Sequence, residues 1–204
     1  MGYYERQVLP RLVHLSMRQD RFLVYRHRVV SGAKGRVLEI GVGSGLNLAL
    51  YTDIVERVIG IDTSPQLLSK ARHVLRRDDL SIELIEGSAE MLPLKDASMD
   101  TVVTTWTLCT IPDVHRALGE MRRVLRPSGA LLFVEHGRSP DALVKRWQDR
   151  LTPAWKRLAG GCHLNRPIGQ LLERSGFGIE RLDTGYMKGP RPMTFMYEGR
   201  ARPL

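Results

Sequence analysis

The stretch Val37-Leu38-Glu39-Ile40-Gly41-Val42-Gly43-Ser44-Gly45 constrains this chain more than any other. A buried-strand pattern, Arg36–Ile40, runs straight into three glycines spaced by single residues, and Leu46–Tyr51 then begins a helical pattern. Strand, glycine turn and helix in immediate succession open a βαβ unit, because glycine adopts backbone conformations closed to other residues. The alternation continues. Strands are expected at Arg57–Asp62, Ile82–Glu86, Thr101–Thr105 and Ala130–Glu135, with helices from Ser64-Pro65 to Val74 and from Val114 to Leu125. Ser64 reads as an N-cap with Pro65 in the first turn, and Arg126-Pro127-Ser128-Gly129 ends the second helix. Strands and helices alternating on short loops give right-handed crossovers, hence a parallel sheet covered on both faces.

The flanks read differently. Residues 3–31 carry a helical pattern interrupted by Pro10, in which Arg11, Arg18, Arg21, Arg26 and Arg28 interleave with Leu12, Leu15, Phe22, Tyr25 and Val29. After the fifth strand come a basic amphipathic helix, Ala142–Leu158, holding Trp147 and Trp155, and a break at Gly160-Gly161. A helix at Ile168–Ser175 and two closing strands, Ile179–Thr184 and Met193–Gly199, finish the chain, the strands as a candidate antiparallel pair. The 204 residues suit one α/β domain: a helical cap over 1–34, a core over 35–135 and a closing part over 136–204. The sheet is expected to have seven strands, mostly parallel, with helices on both faces.

Composition narrows the setting. The net charge of +9 reads either as a solvated arginine-rich surface or as a field that draws anionic partners. No apolar run approaches the ~20 residues of a membrane span, and the first residues lack the apolar core of a secretory signal. Cys109 and Cys162 stand far apart in no metal or redox spacing, which fits a reduced cytoplasmic compartment. With no zinc pattern, HExxH or EF-hand loop, no metal is expected.

The glycine loop differs from that of dinucleotide enzymes in one informative way. Their third glycine, which meets the pyrophosphate-bearing helix, corresponds here to Leu46, and the glycines run GxGxG. Glu39 just before the loop would oppose a pyrophosphate and suits a ligand carrying an ammonium and a sulfonium. S-adenosylmethionine (SAM) is favoured over NAD. Asp62, at the tip of the second strand and followed by Thr63, can accept both hydroxyls of a ribose.

Through Glu39–Gly45, Asp62, Gly87-Ser88-Ala89-Glu90, Asp100–Asp113 and Val124–Gly129, the chain resembles the class I SAM-dependent methyltransferases of the small-molecule type. The resemblance implies a Rossmann-like fold and SAM as cofactor, with S-adenosylhomocysteine as product. By it, Gly41, Gly43 and Gly45 cradle the methionine part, Asp62 holds the ribose, Ser88 and Ala89 lie beside the adenine, and Thr105 and Trp106 stand near the cofactor. Where the family often has an acid, this chain has Ser88, so an adenine contact would fall to the Ala89 N–H. Where it often has Gly-Gly, this chain has Ser128-Gly129. Thr105–Thr110, Phe133–His136, Pro153-Ala154-Trp155 and Gly161–Arg166 are similar, more narrowly, to the animal alkyl-thiol methyltransferases. That group attaches to membranes through an N-terminal apolar anchor, which is not expected to carry over to this sequence.

The resemblance implies a small, apolar acceptor, with sulfur ahead of nitrogen or oxygen. His136, at the mouth of the fifth strand, is the first candidate base for a thiol acceptor and His163 the second, although for either a hydrogen-bonded structural role is the favoured reading. Competing readings are a phospholipid N-methyltransferase drawn to anionic membrane by the helix around Arg11–Arg28, a nucleic-acid- or protein-modifying enzyme, and a SAM-binding protein without catalysis. No basic-aromatic RNA motif is present, so a nucleic-acid partner is not expected.

Overall fold

A computed structural model describes residues 3–74 and 80–204 of the chain. Seven strands form one sheet: β1 (Gly35–Ile40), β2 (Val55–Asp62), β3 (Ser81–Glu86), β4 (Met99–Thr105), β5 (Leu125–His136), β6 (Phe177–Tyr186) and β7 (Phe195–Pro203). Their order is β3-β2-β1-β4-β5-β7-β6. β1 pairs in parallel with β2 and β4, and β4 with β5, whereas β7 runs antiparallel to both β5 and β6. The expected closing strands are therefore an antiparallel pair, and the Rossmann-like class I methyltransferase architecture holds. Strand order reverses between β1 and β4, which leaves a crevice outside the carboxyl ends of the strands.

The helices are α1 (Leu9–Met17), α2 (Asp20–Val30), α3 (Pro65–Val74), α4 (Val114–Val124), α5 (Ala142–Leu158) and α6 (Ile168–Arg174). Period-two alternation sorts the strands' side chains between two cores. Leu38, Ile40, Ile59 and Val102 meet Leu118 and Met121 of α4 and Leu172 of α6 on one face. Val37, Val58, Val103 and Leu132 meet Val29 and Val30 of α2 and Leu68 and Ala71 of α3 on the other. Truncating one such residue, Leu38→Ala for example, costs about 2–5 kcal/mol in a well-packed core. Helix α4 shows how local sequence sets an element. Val114, Ala117, Leu118, Met121 and Val124 bury one stripe, and the Asp113 side chain caps the start by accepting from the Arg116 N–H at 3.0 Å.

Three local expectations are corrected. Leu46–Tyr51 does not form a helix: a single 3-10 turn, Leu48–Leu50, follows the glycines, and Tyr51 is already extended. The reason is the side chains of Asn47 and Tyr51, which turn inward to Glu39 rather than along a helix face. Pro10 does not interrupt the first helix. It lies in the opening turn of α1, just after a π-helical turn at Tyr4–Val8, where its missing N–H is tolerated, and the break falls instead before Asp20. Helix α4 stops at Val124, and Arg126–Gly129 lies within the long strand β5, whose pairing with β4 shifts register between Met99 and Thr101.

The N-terminal segment reaches the carboxyl edge of the sheet through α1, while α2 packs on one face. His14 Nδ1 sits 2.6 Å from Ser44 Oγ in the glycine loop, and the Tyr4 hydroxyl donates to the Leu158 carbonyl at the end of α5 at 2.7 Å. Among the described residues no helix is long and apolar enough to cross a membrane.

Candidate active site

The glycine loop leaves β1 with Gly41, Gly43 and Gly45 all in the left-handed region, at φ 68°, 55° and 79°. The reasons differ. A Cβ on Gly41 would overlap the Thr107 side chain, whereas one on Gly43 would meet nothing nearer than the Gly41 carbonyl at 3.8 Å. Gly41 is thus required by the protein's own packing, and Gly43 faces open space. The Gly43 N–H donates to Asp62 Oδ2 at 2.9 Å and the Ser64 N–H to Oδ1 at 2.8 Å, so Asp62 ties the loop to the end of β2. Burial raises the Asp62 carboxyl, opposed by the N–H groups of Ser64, Gly43 and Thr63. Thr63 itself is exposed.

Beneath the loop lies a buried polar network. Glu39 is only 1% exposed; Asn47 Nδ2 donates to its Oε1 at 2.9 Å and the Tyr51 hydroxyl to its Oε2 at 2.7 Å. Arg26, from α2, reaches in to donate to Asn47 Oδ1 at 2.8 Å and Thr105 Oγ1 at 3.2 Å. Burial pushes the Glu39 carboxyl up to about 7, against the pull of Tyr51, Arg26 and Asn47. Burial likewise lowers the Arg26 guanidinium to about 10, with Glu39 opposing. Arg26 Nε is buried with no hydrogen-bond partner among the described residues.

Trp106, the residue after β4, has a left-handed backbone at φ 52°, held by its N–H on the Val134 carbonyl at 2.8 Å. Its ring is met edge-on by Phe22 at 5.0 Å and Tyr25 at 6.3 Å, and the Arg26 guanidinium stands 5.0 Å over it. A large side chain in this conformation costs of order 1 kcal/mol or more and persists where packing over-determines it. Ser88 and Ala89 lie beyond β3. The Ser88 hydroxyl folds back to accept from the Glu90 N–H at 3.2 Å, and Ala89 is buried.

The second half of the site lies past β4 and β5. Glu135 is fully buried; its Oε1 accepts from Thr104 Oγ1 and from the N–H groups of Thr107 and Leu108, at 2.7, 2.9 and 3.0 Å. Glu135 therefore fixes the turn after Trp106. His136 Nε2 lies 3.1 Å from Cys162 Sγ, and the Cys109 thiol is gathered beside them. Burial works against a charged His136, but contact with Cys162 and the nearby Glu135 raise it. The thiols split: the hydrogen bond between them pushes Cys162 down, aided by His136, and pushes Cys109 up, aided by burial. His163 stands alongside, its backbone N–H donating to the Cys109 carbonyl at 2.8 Å and its Nδ1 3.2 Å from the same oxygen; burial lowers its pKa. Arg166 clamps the Leu108 and Ile111 carbonyls from the other side.

Glu39, the glycines, Asp62, Thr105 and Trp106 thus converge at the carboxyl edge of β1, β2 and β4, and His136 and His163 converge on the Cys109 turn. Sequence reasoning missed Arg26, Asn47 and Tyr51, and missed that the partner of Cys162 is His136. A separate open cleft of about 470 Å³, lined by Arg138, Lys145, Glu173 and Tyr197 among others, shares none of these residues.

Residues 38–133 match the family model described as a methyltransferase domain. Human thiol S-methyltransferase TMT1B is 33% identical over 187 residues, 89% of this chain and 75% of that protein. The phosphatidylethanolamine N-methyltransferase of Cereibacter sphaeroides is 39% identical over 109 residues, 52% of this chain and 53% of that one. Among solved structures, a SAM-dependent methyltransferase from Methanosarcina mazei superposes with a TM-score of 0.67 at 23% identity, covering 83% of this chain and 92% of that one; the likeness is one of fold.

Proposed function

The chain belongs to the SAM-dependent methyltransferases, and from that premise we propose that it acts as one domain that methylates a small, apolar thiol. The name of the human relative supports sulfur as the accepting atom. The observation that carries the reading is His136, buried at the carboxyl end of β5 with Nε2 3.1 Å from Cys162 Sγ, beside Cys109 of the turn that follows Trp106. The cofactor side fits SAM: left-handed Gly41, Gly43 and Gly45 form a cradle whose middle member faces open space, beside a carboxylate on Asp62. When bound, SAM supplies an electrophilic methyl on a sulfonium.

In this reading Gly41, Gly43 and Gly45 receive the methionine part and Glu39 acts on it through Asn47. Asp62 and Thr63 take the ribose, and Ser88 and Ala89 the adenine. Thr105 and Trp106 border the reacting end. Methyl transfer to sulfur is an in-line displacement, so much of the protein's contribution is alignment and exclusion of water. The acceptor must first lose its thiol proton; His136 takes it, and His163 steadies the Cys109 turn. The two N-terminal helices close over both partners through His14–Ser44 and the Phe22, Tyr25 and Arg26 contacts on Trp106.

Release of S-adenosylhomocysteine from SAM and a small apolar thiol, lost in Asp62→Ala, is the test. No release across a broad thiol panel would remove sulfur as the acceptor. A second reading, phospholipid N-methylation at an anionic membrane surface, draws on one observation: Leu12, Leu15, Leu23 and Val24 are exposed on α1 and α2 among Arg11, Arg18, Arg21 and Arg28. It requires release with phosphatidylethanolamine vesicles in place of the thiol.

A further inference from the structure

Three side chains from three separate segments meet beside the proposed acceptor position: Cys109 after β4, His136 at the end of β5 and Cys162 after α5. One ligand atom from each lies within 4.8 Å of the other two, and all three groups are buried or nearly so. We propose that Cys109 Sγ, His136 Nε2 and Cys162 Sγ form a binding site for a soft divalent cation, zinc in the first place. The fourth position would be left to the acceptor thiol. The metal site rests on this geometry alone; the role of the thiol rests on the acceptor reading above.

The geometry suits zinc. Bonds of about 2.3 Å to sulfur and about 2.0 Å to nitrogen set tetrahedral ligand–ligand spacings of roughly 3.5–3.8 Å, within reach of this cluster by small side-chain movements. Two thiolates and an imidazole select zinc over magnesium or calcium, which take oxygen. Three protein ligands with one open position is the pattern of catalytic rather than structural zinc.

The Cys109 and Cys162 segments are also held in place, whereas His136 Nδ1 is buried without a hydrogen-bond partner among the described residues. Gly160 and Gly161, at φ 60° and 88°, turn the chain sharply so that Cys162 enters the cluster. The His163 N–H ties that loop to the Cys109 carbonyl, and Arg166 holds the carbonyls of Leu108 and Ile111 on either side of Cys109. Glu135, through the N–H groups of Thr107 and Leu108, fixes the same turn from below. Ligands held by such outer contacts need little reorganisation to bind. On binding, the two cysteines each lose a proton to solvent. His136 coordinates as the neutral ring, its remaining proton on Nδ1. An acceptor thiol entering the fourth position would lose its own proton to solvent in forming the metal–sulfur bond, so the ion would take over the role given above to His136.

The test uses the full chain, reduced with a phosphine, stripped with chelator, desalted and titrated with cobalt(II). Expected is one cobalt per chain, with sulfur-to-cobalt charge-transfer absorption and the strong visible bands of a tetrahedral site, all bleached by zinc. Cys109→Ser and Cys162→Ser should each weaken binding by more than about 100-fold. The double variant should lose the charge-transfer band. These two are the chain's entire cysteine content, so thiol counting gives a second readout that needs no variant: zinc should protect both from alkylation. Absence of the band at stoichiometric cobalt, its survival in the double variant, or unprotected thiols in the presence of zinc would each overturn the site. Adding the apolar thiol to the cobalt form should shift the band, and no shift would overturn the fourth-position assignment. Methyl transfer is not needed for any of these readouts. A metal-binding protein inactive on thiols would remove the acceptor reading and leave the metal site standing, and a chelated protein fully active on thiols would overturn the fourth-position assignment and leave the acceptor reading standing.

Discussion

Gly41→Ala and Gly43→Ala are the same chemical change two residues apart, yet the structure assigns them different consequences. Both positions are left-handed, so an alanine at either pays a conformational penalty of about 1–2 kcal/mol. At Gly43 that is the whole protein-side cost, since a Cβ there meets nothing nearer than 3.8 Å. For a chain of this size about 1 kcal/mol lowers the melting temperature by roughly 2–4 °C, so Gly43→Ala should fall by roughly 2–8 °C. At Gly41 the new methyl also drives into Thr107, whose Cβ would lie 2.9 Å away. Overpacking of that kind adds about 1–3 kcal/mol, for a total of about 2–5 kcal/mol. Affinity for SAM should behave oppositely to stability. The Gly43 methyl occupies the space assigned to the cofactor and should weaken binding at least about tenfold, about 1.4 kcal/mol. Thermal melting and calorimetric titration of SAM into both variants read the two quantities separately. If Gly43→Ala binds SAM as tightly as the wild type, the cofactor does not approach the loop at that glycine, and the reasoning from open space fails.

Glu39 makes cofactor binding pH-dependent. With its carboxyl near 7 in the free protein, a cationic ligand must displace a proton below that value, so affinity should fall by up to about tenfold per pH unit below 7 and level off above it. Calorimetry between pH 6 and 8 checks this, and a slope that persists in Glu39→Gln would assign it elsewhere. Trp106→Gly should be more stable than Trp106→Ala although it removes more, because both lose the contacts with Phe22 and Tyr25 but only glycine relieves the left-handed backbone. The reverse order of melting temperatures would mean that the conformation is not strained. His136→Asn should cut thiol-dependent turnover by about 10²–10⁴ while leaving SAM affinity unchanged, whereas His163→Ala should act far less. Equal losses in the two would remove the distinction between them. Anionic vesicles should bind the chain at low salt and release it at high salt if the basic apolar face of α1 and α2 meets membrane; sedimentation without co-pelleting at low salt would exclude that contact.

What the sequence made legible was what is local. The glycine loop lies within one strand–turn passage, and Asp62 and the Ser64 cap within one strand–turn–helix passage, where backbone conformation and residue type are tightly linked, and the strand–helix alternation then fixes the sheet. The polar network under the loop was not legible, for an equally physical reason. Arg26 is one of several arginines on an amphipathic helix, and nothing in its neighbours marks it as the one buried against Asn47 and Thr105. Asn47 and Tyr51 carry a helical pattern, but their hydrogen bonds to Glu39 override that propensity and leave a 3-10 turn. Cysteine spacing failed in the same way, since Cys109, His136 and Cys162 come together only through the order of β4 and β5 and the turn after α5.

These long-range contacts share a consequence for how the site works. Arg26 and Glu39 are both buried, and each is pushed toward neutrality by burial and back toward charge by the other. The two share Asn47, which accepts from Arg26 and donates to Glu39, so removing either leaves a buried polar group of Asn47 without its partner. Helix α2 is therefore held to the sheet by an interaction whose strength depends on charge at the cofactor loop, and the same helix packs on Trp106 at the reacting end. A cation entering beside Glu39 competes with Arg26 for that carboxylate, while the rings of Phe22 and Tyr25 keep α2 on Trp106. If a cofactor binds beside Glu39, linkage requires that it change how tightly α2 is held to the sheet.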